Sequence, residues 1–194
     1  MPAMQGRAST ITDLGNGTVL RIGGEPAREA RIMAHARAHG YPVPRVHAVR
    51  ADGMVLERID GPTMGQHLAS HPWLLPRYVR ALASLHARLH AIPYEGAALV
   101  HFDLHPQNVM LTTDGPIVID WTNAHAGSAD ADLAMTWLIA TTSAGIPGLI
   151  AARLFRSHVG REPIRRGLAD ARRFRLADPN VTPSEKDRAR SAQA

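Results

Sequence analysis

The sequence predicts an α+β protein of two lobes, a small antiparallel sheet lobe followed by a mainly helical one. Three observations carry this reading. Short extended segments separated by Gly, Asn and Asp turns dominate the first sixty residues. Long helical patterns dominate the remainder. Within the helical part lies one loop, "HFDLHPQNVM" (His101–Met110), that is dense in polar side chains no core requires.

Gly6–Thr10 reads as a loop and "TITDL" (Thr10–Leu14) as a strand. The Gly15–Asn16–Gly17 turn suits a hairpin because Gly and Asn tolerate positive φ, and "TVLRI" (Thr18–Ile22) returns. Glu25–Ala38 is rich in Ala, Arg and Glu and stops at Gly40 before Pro42, so it reads as a helix with Ala30, Met33, Ala34 and Ala38 on its apolar side. "RVHAV" and "MVLERI" are two further strands about a turn at Ala51–Gly53, and Asp60–Gly61–Pro62 breaks the chain. A short helix to Ala69 precedes an amphipathic helix over Trp73–His90, with Val79, Leu82, Leu85 and Leu89 on one face. After the polar loop, "NVML" and "PIVID" flank the turn "TTDG". Helices are expected over Ala129–Thr142, Pro147–His158 and Glu162–Phe174. The expected organisation is an N-terminal lobe and hinge over 1–60, a helical lobe over 61–178 and a polar tail over 179–194.

Composition narrows the function classes. At 194 residues and 45% hydrophobic the chain can bury a sizeable core, whereas 5% aromatic content argues against a base-stacking surface. The absence of cysteine excludes disulfides and thiolate metal sites and fits a reducing compartment. "MPAMQGR" lacks the apolar core of a signal peptide. The longest apolar region, "LAMTWLIATTSAGIPGLIAARLF", is interrupted by Thr, Ser, Gly145 and Pro147, so no membrane span is expected and the cytoplasm is the expected location. The net charge of +5 is almost all arginine, Lys186 being the only lysine, and no nucleic-acid-binding module accompanies it. These arginines are read as solvated helix faces.

Asp103, Asn108 and Asp120 form the informative constellation. Two oxygen donors, Asn108 and Asp120, suit Mg²⁺, and a separate carboxylate, Asp103, can take a proton from an alcohol. His101, Asp103, Leu104 and Asn108 match the kinase pattern H-x-D-L-x-x-x-N. Composition alone would produce the His, Asp and Asn spacing only about 0.01 times in a chain of this length. The apolar approach "PIVI" suggests that Asp120 ends a buried strand, where its charge needs a partner.

These residues carry a resemblance to the aminoglycoside phosphotransferase and choline kinase-like family, small-molecule kinases with the protein-kinase fold. "HFDLHPQNVML" resembles the family's H-G-D-L-H-P-x-N-V-L run, "IVIDW" its metal-binding strand end, and "SADADLAMTW" the segment in which an Asp braces the catalytic loop. "MVLERIDG" resembles the interlobe hinge and "YPVPRVHAV" the stretch before it. The resemblance covers about Gly6 to Leu154. It implies ATP and Mg²⁺ as cofactors, and a small-molecule hydroxyl as acceptor. It casts Asp103 as the catalytic base, with His101 and His105 supporting the loop. Asn108 and Asp120 become the metal ligands and Asp132 the brace. Backbone groups at Glu57, Arg58 and Ile59 would hold adenine. Glu29 would pair with a cation on "TVLRI". There the chain departs from the pattern, placing Arg21 where the family has lysine, and "QGRAS" offers a single glycine for the phosphate-covering loop.

Arg21 and the short N-terminus motivate the alternative of a kinase-shaped nucleotide-binding module without turnover. A third reading, a non-haem iron oxygenase using "HFD" and His158, conflicts with the helical segments after Asp120. From Gly127 onward 11 Arg or Lys face 7 Asp or Glu, which argues mildly against a polycationic aminoglycoside as acceptor. The oligomeric state is not assigned by the sequence.

Overall fold

The computed structural model describes residues 4–5, 10–143 and 145–193. The Gly6–Ser9 part of the expected phosphate-covering loop lies outside the described residues. The N-terminal lobe is a five-stranded antiparallel sheet of β1 (Met4–Gln5), β2 (Thr10–Asp13), β3 (Thr18–Ile22), β4 (Val46–Val49) and β5 (Gly53–Glu57), in the order β1-β2-β3-β5-β4. Gly15 and Gly17, at φ 78° and 76°, make the turn between β2 and β3, a conformation that costs glycine little. The two-residue period of β3 turns Val19 and Arg21 to the same side, and Arg21 is buried there.

That side faces helix α1 (Pro26–Ala38), entered through Pro26 in its first turn. Its buried face is Glu29, Ala30, Ile32, Met33 and Ala36, not the Ala30/Met33/Ala34/Ala38 stripe expected from the pattern. The rotation has a polar cause: the helix turns inward the side that carries Glu29, which meets Arg21.

The helical lobe contains α2 (Met64–Ser70), a 3₁₀ turn at Pro72–Leu74, α3 (Leu75–His90), α4 (Ala129–Ser143), α5 (Gly145–Val159), α6 (Arg161–Ala177) and α7 (Pro183–Ser191). Two small sheets lie at its junction with the first lobe. One orders β10 (His125–Gly127), β7 (Ala97–Val100) and β6 (Pro93–Tyr94), and the other is the hairpin of β8 (Val109–Thr112) and β9 (Gly115–Val118). A backbone bond ties the lobes together, Val118 N–H donating to Pro42 O at 2.8 Å, and Leu111 N–H holds the segment just after the hinge through Pro62 O at 2.9 Å. A single apolar core runs through both lobes, from Ile32 and Met54 to Leu99, Trp121 and Leu138. Among the described residues no helix is long and apolar enough to cross a membrane.

α4 is the central strut. Ala131, Asp132, Met135, Thr136, Trp137 and Leu138 are all buried, so it is enclosed by protein on most of its circumference. The stretch expected to be a polar tail, 179–194, instead contains α7. Thr182 Oγ1 accepts a hydrogen bond from Glu185 N–H while the Glu185 carboxylate accepts one from Thr182 N–H, and Ala189 is fully buried. The polarity is real, but Arg188 is used to reach Thr142 O at 2.7 Å, docking the helix on the end of α4.

α6 approaches α4 closely at Gly167, where an added Cβ would meet Asp130 O at 2.1 Å. Backbone cannot yield there as a flexible side chain could. Gly167→Ala should therefore destabilise the protein by roughly 1–3 kcal/mol, read from the urea midpoint, despite the better helix propensity of alanine.

Candidate active site

The polar loop runs from the end of β7 to the start of β8. Asp132, on the first turn of α4 and wholly buried, accepts the backbone N–H of Phe102 at 2.7 Å on Oδ1 and that of His101 at 3.1 Å on Oδ2. Oδ2 also receives His90 Nε2–H at 2.9 Å and lies 3.4 Å from His86 Nδ1. Burial by itself would raise the Asp132 pKa. The His86 and His90 imidazoles outweigh it and hold the carboxyl well below its usual range. Phe102, held by this carboxylate, has φ 62°, a left-handed conformation uncommon for a bulky residue.

His101 is buried behind the loop. Its Nε2 is 3.1 Å from Ile119 O, which only accepts, so the ring proton sits on Nε2. Burial lowers its pKa against the raising influence of Asp132, Asp103 and Asp120, so the ring is neutral at pH 7. It links the loop to the approach of Asp120.

Asp103 points forward into a cleft. Asn108 Nδ2 donates to Asp103 O at 2.9 Å and to Asp103 Oδ2 at 3.0 Å. Both acceptors are oxygen, which fixes the amide orientation and leaves Asn108 Oδ1 as the uncommitted donor atom for a cation. His105 Nδ1 accepts Gln107 N–H at 3.2 Å, so its proton is on Nε2, which faces Asp103 Oδ1 at 3.5 Å.

Asp120 differs from the expected buried strand end. β9 stops at Val118, and Asp120 sits two residues beyond with φ 61° and its side chain 46% exposed. The left-handed turn carries the carboxylate off the sheet and into the cleft. Thr122 Oγ1 donates to Asp120 Oδ1 at 2.8 Å, and Arg21 Nη2 donates to Thr122 Oγ1 at 2.5 Å and lies 3.6 Å from Asp120 Oδ1. Arg21 Nη1 bonds Glu29 Oε2 at 2.8 Å, and Glu29 Oε1 accepts Glu25 N–H at 3.1 Å. The expected pairing of Arg21 with Glu29 is thus present, in a chain of contacts that crosses between the lobes.

Asp103, His105 and Asn108 form one group, Arg21, Glu29 and Asp120 a second, and His101 and Asp132 a support behind them. Glu57, Arg58 and Ile59 join neither group. Glu57 Oε2 accepts Arg45 N–H at 2.9 Å, and the Glu57 and Arg58 amides donate to Arg45 O at 2.8 Å and Gly17 O at 2.9 Å. The Arg58 side chain pairs with Asp13 at 2.9 Å and Asp60 at 3.0 Å. Three participants escaped the sequence reading. Thr122 carried a faint signal, two residues after Asp120. His86 and His90 stand four apart on the predicted helix beside its leucine stripe, which is a visible spacing.

The cleft measures about 1270 Å³ and is lined at one end by Asp103, Asn108, Asp120 and Thr122. A smaller hollow of about 390 Å³, around Phe102 and Phe174, lies apart from these groups. The larger cleft is therefore the candidate site, because Asp103, Asn108 and Asp120 line it.

The pattern of the phosphotransferase enzyme family matches residues 19–99 and 95–170. A curated relative, a probable bifunctional tRNA threonylcarbamoyladenosine biosynthesis protein of Methanoculleus marisnigri, is 27% identical over 137 residues, 62% of this chain. The chain spans about a quarter of that protein's length, 24%. Three solved structures are similar in fold. A thermostable mutant of an aminoglycoside phosphotransferase gives a TM-score of 0.72 at 15% identity, over 98% of this chain and 93% of that one. An ethanolamine kinase of Plasmodium vivax gives 0.64 at 9%, over 97% and 80%. An aminoglycoside phosphotransferase in complex with streptomycin and ATP gives 0.61 at 14%, over 86% and 82%. At these identities they establish a protein-kinase-like fold.

Asp132 generates a stability prediction. Its folded pKa lies below its unfolded value near 4, so its contribution is complete above about pH 4 and is lost as pH falls through the folded value. Asp132→Asn should cost roughly 3–5 kcal/mol at pH 7, because an amide cannot accept all these donors. It should also flatten the acid limb of a plot of urea midpoint against pH. An unchanged acid limb in the variant would assign that limb to other carboxylates, among them Glu185, which hydrogen bonds draw down to about 2 against the opposing effect of burial.

Proposed function

The chain belongs to the phosphotransferase enzyme family, and from this we propose that it is a kinase that moves the terminal phosphoryl group of ATP to the hydroxyl of a small molecule. The observation that carries the reading is the Asn108 side chain. Its amide nitrogen is spent on Asp103, so its oxygen and the Asp120 carboxylate are left as hard donors in one cleft.

These residues fit Mg²⁺. Asn108 Oδ1 and Asp120 would hold the ion, which would supply positive charge to offset that of the phosphates. Asp103 would orient the acceptor hydroxyl and take its proton as the oxygen attacks phosphorus. Asn108 holds both the carboxylate and the backbone carbonyl of Asp103, and His105 Nε2 lies 3.5 Å from the other carboxylate oxygen. His101, neutral and buried, has a positioning role. Arg21 would set a positive charge beside the phosphates, its guanidinium oriented by Glu29 and Thr122. Backbone groups of Glu57–Ile59 are the proposed adenine contacts. Because the Glu57 and Arg58 amides are already taken, Ile59 N–H is the hinge donor we assign to the ring.

One observation favours a second reading, a nucleotide-binding module without turnover. Arg21 Nη1 and Nη2 are both engaged inside the protein, which reduces what the residue can offer a phosphate compared with a lysine ammonium.

Calorimetry of ATP binding tests the metal site. Wild type should bind ATP more tightly with Mg²⁺ than without, and Asp120→Ala should lose that difference. ATP binding that ignores Mg²⁺ in wild type would sink the proposal. Asp103→Asn should leave Mg·ATP binding within about twofold yet lower phosphoryl transfer to a hydroxyl-compound panel by about 10²–10⁴-fold. Intact Mg·ATP binding with no transfer by wild type would favour the second reading.

A further inference from the structure

Resting on the kinase reading, the shape and lining of the acceptor end of the cleft narrow the substrate. Beyond Asp103 the cleft passes between α3, α4, α5 and α6 and is walled by Val79, Leu82, Ile139, Phe155 and Phe174. Its volume of about 1270 Å³ exceeds the usual range for a drug-sized ligand, so it has room for a substantial apolar body.

Of the two distal carboxylates, Glu185 is paired with a cation and Asp178 is held in its own turn. Glu185 accepts Ser143 Oγ–H at 2.6 Å and Thr182 Oγ1–H at 2.7 Å and lies 3.4 Å from Arg175. Asp178 Oδ1 caps its own turn through Asn180 N–H at 2.8 Å. A polycation needs several carboxylates spread along its length; of the four that line the cleft, Asp103 and Asp120 sit together at one end and Glu185 faces Arg175, which leaves Asp178 as the single distal acid facing no cation among the described residues.

We infer that the acceptor is an uncharged alcohol with a large apolar body, its hydroxyl at Asp103 and its body held between α3, α4 and α5. Desolvation of that body would supply the affinity, and the few polar groups near Asp103 would select which hydroxyl reacts.

Binding of three probes to the full chain tests this: n-octyl glucoside below its micelle concentration, choline and kanamycin, each measured by calorimetry without nucleotide. Octyl glucoside should bind saturably and more tightly than either cation. Ala140→Trp, which fills the cleft from α4, should weaken octyl glucoside binding at least about tenfold while Mg·ATP binding is kept, and Ile139→Asp should do the same by charge. Retained Mg·ATP binding certifies that each variant is folded. Tighter binding of choline or kanamycin, absence of saturable octyl glucoside binding, or binding that Ala140→Trp leaves unchanged would overturn the inference. Failure of the kinase reading would show separately, as wild type without Mg²⁺-dependent ATP binding.

Discussion

The buried carboxylate of Asp132 is the point on which the site depends. The loop bearing Asp103 must leave β7, reverse through a left-handed Phe102 and present a carboxylate to the cleft. The reversal strips the amides of His101 and Phe102 of ordinary partners inside the protein. Asp132 takes both, and their loss would leave two buried donors unsatisfied, a penalty of roughly 1–3 kcal/mol each. The charge is tolerable because His90 donates to it alongside the two backbone N–H groups. His86 is itself fixed: Thr136 Oγ1 donates to Leu104 O at 2.8 Å, so His86 Nε2–H must donate to Thr136, which leaves Nδ1 toward the carboxylate. α3, α4 and the loop are thereby locked into one polar unit within an apolar core.

A second polar chain joins the lobes. Glu29 orients Arg21, Arg21 reaches Thr122, and Thr122 holds Asp120. Arg28 adds bonds from α1 to the carbonyls of Thr122 at 3.3 Å and Ala124 at 2.6 Å. A lysine at position 21 could contact Glu29 but would lack the planar fork that also reaches Thr122. Arginine here therefore couples the sheet lobe to the segment after Asp120, with both terminal nitrogens engaged inside the protein.

Much of this was legible in the sequence for physical reasons. The hairpin at Gly15–Gly17, the leucine face of α3 and the strand–turn–strand about Gly115 each rest on local periodicity or turn chemistry, and each is present. The Asp103–Asn108 spacing was legible because a short loop forces its residues into one place. What was missed depends on contacts distant in sequence. The buried face of α1 combines Ile32, Met33 and two of its alanines with Glu29, whose partner Arg21 lies on a distant strand. The β6–β7–β10 sheet joins short segments with no alternating pattern long enough to read. Asp120 was expected to be buried because an apolar run leads to it, but a positive-φ turn at the residue itself overrides the run. α7 looked like a tail because its surface is polar, and its stabilising partners lie on α4 and α6.

The arginine excess also changes meaning in three dimensions. Arg165, Arg173 and Arg190 pair with acids three residues away on their own helices, and Arg166 pairs with Asp130. Exposed pairs of this kind add little stability, but they dissolve any continuous basic stripe. Arg172, Arg175 and Arg188 are spent on fastening α7 to α4 and α6, and by doing so they build the far wall of the cleft. The net charge of this half of the chain therefore describes how the wall is held, not what the cleft prefers. The residues that face the cleft interior are mostly apolar, with Asp103 and Asp120 together at one end.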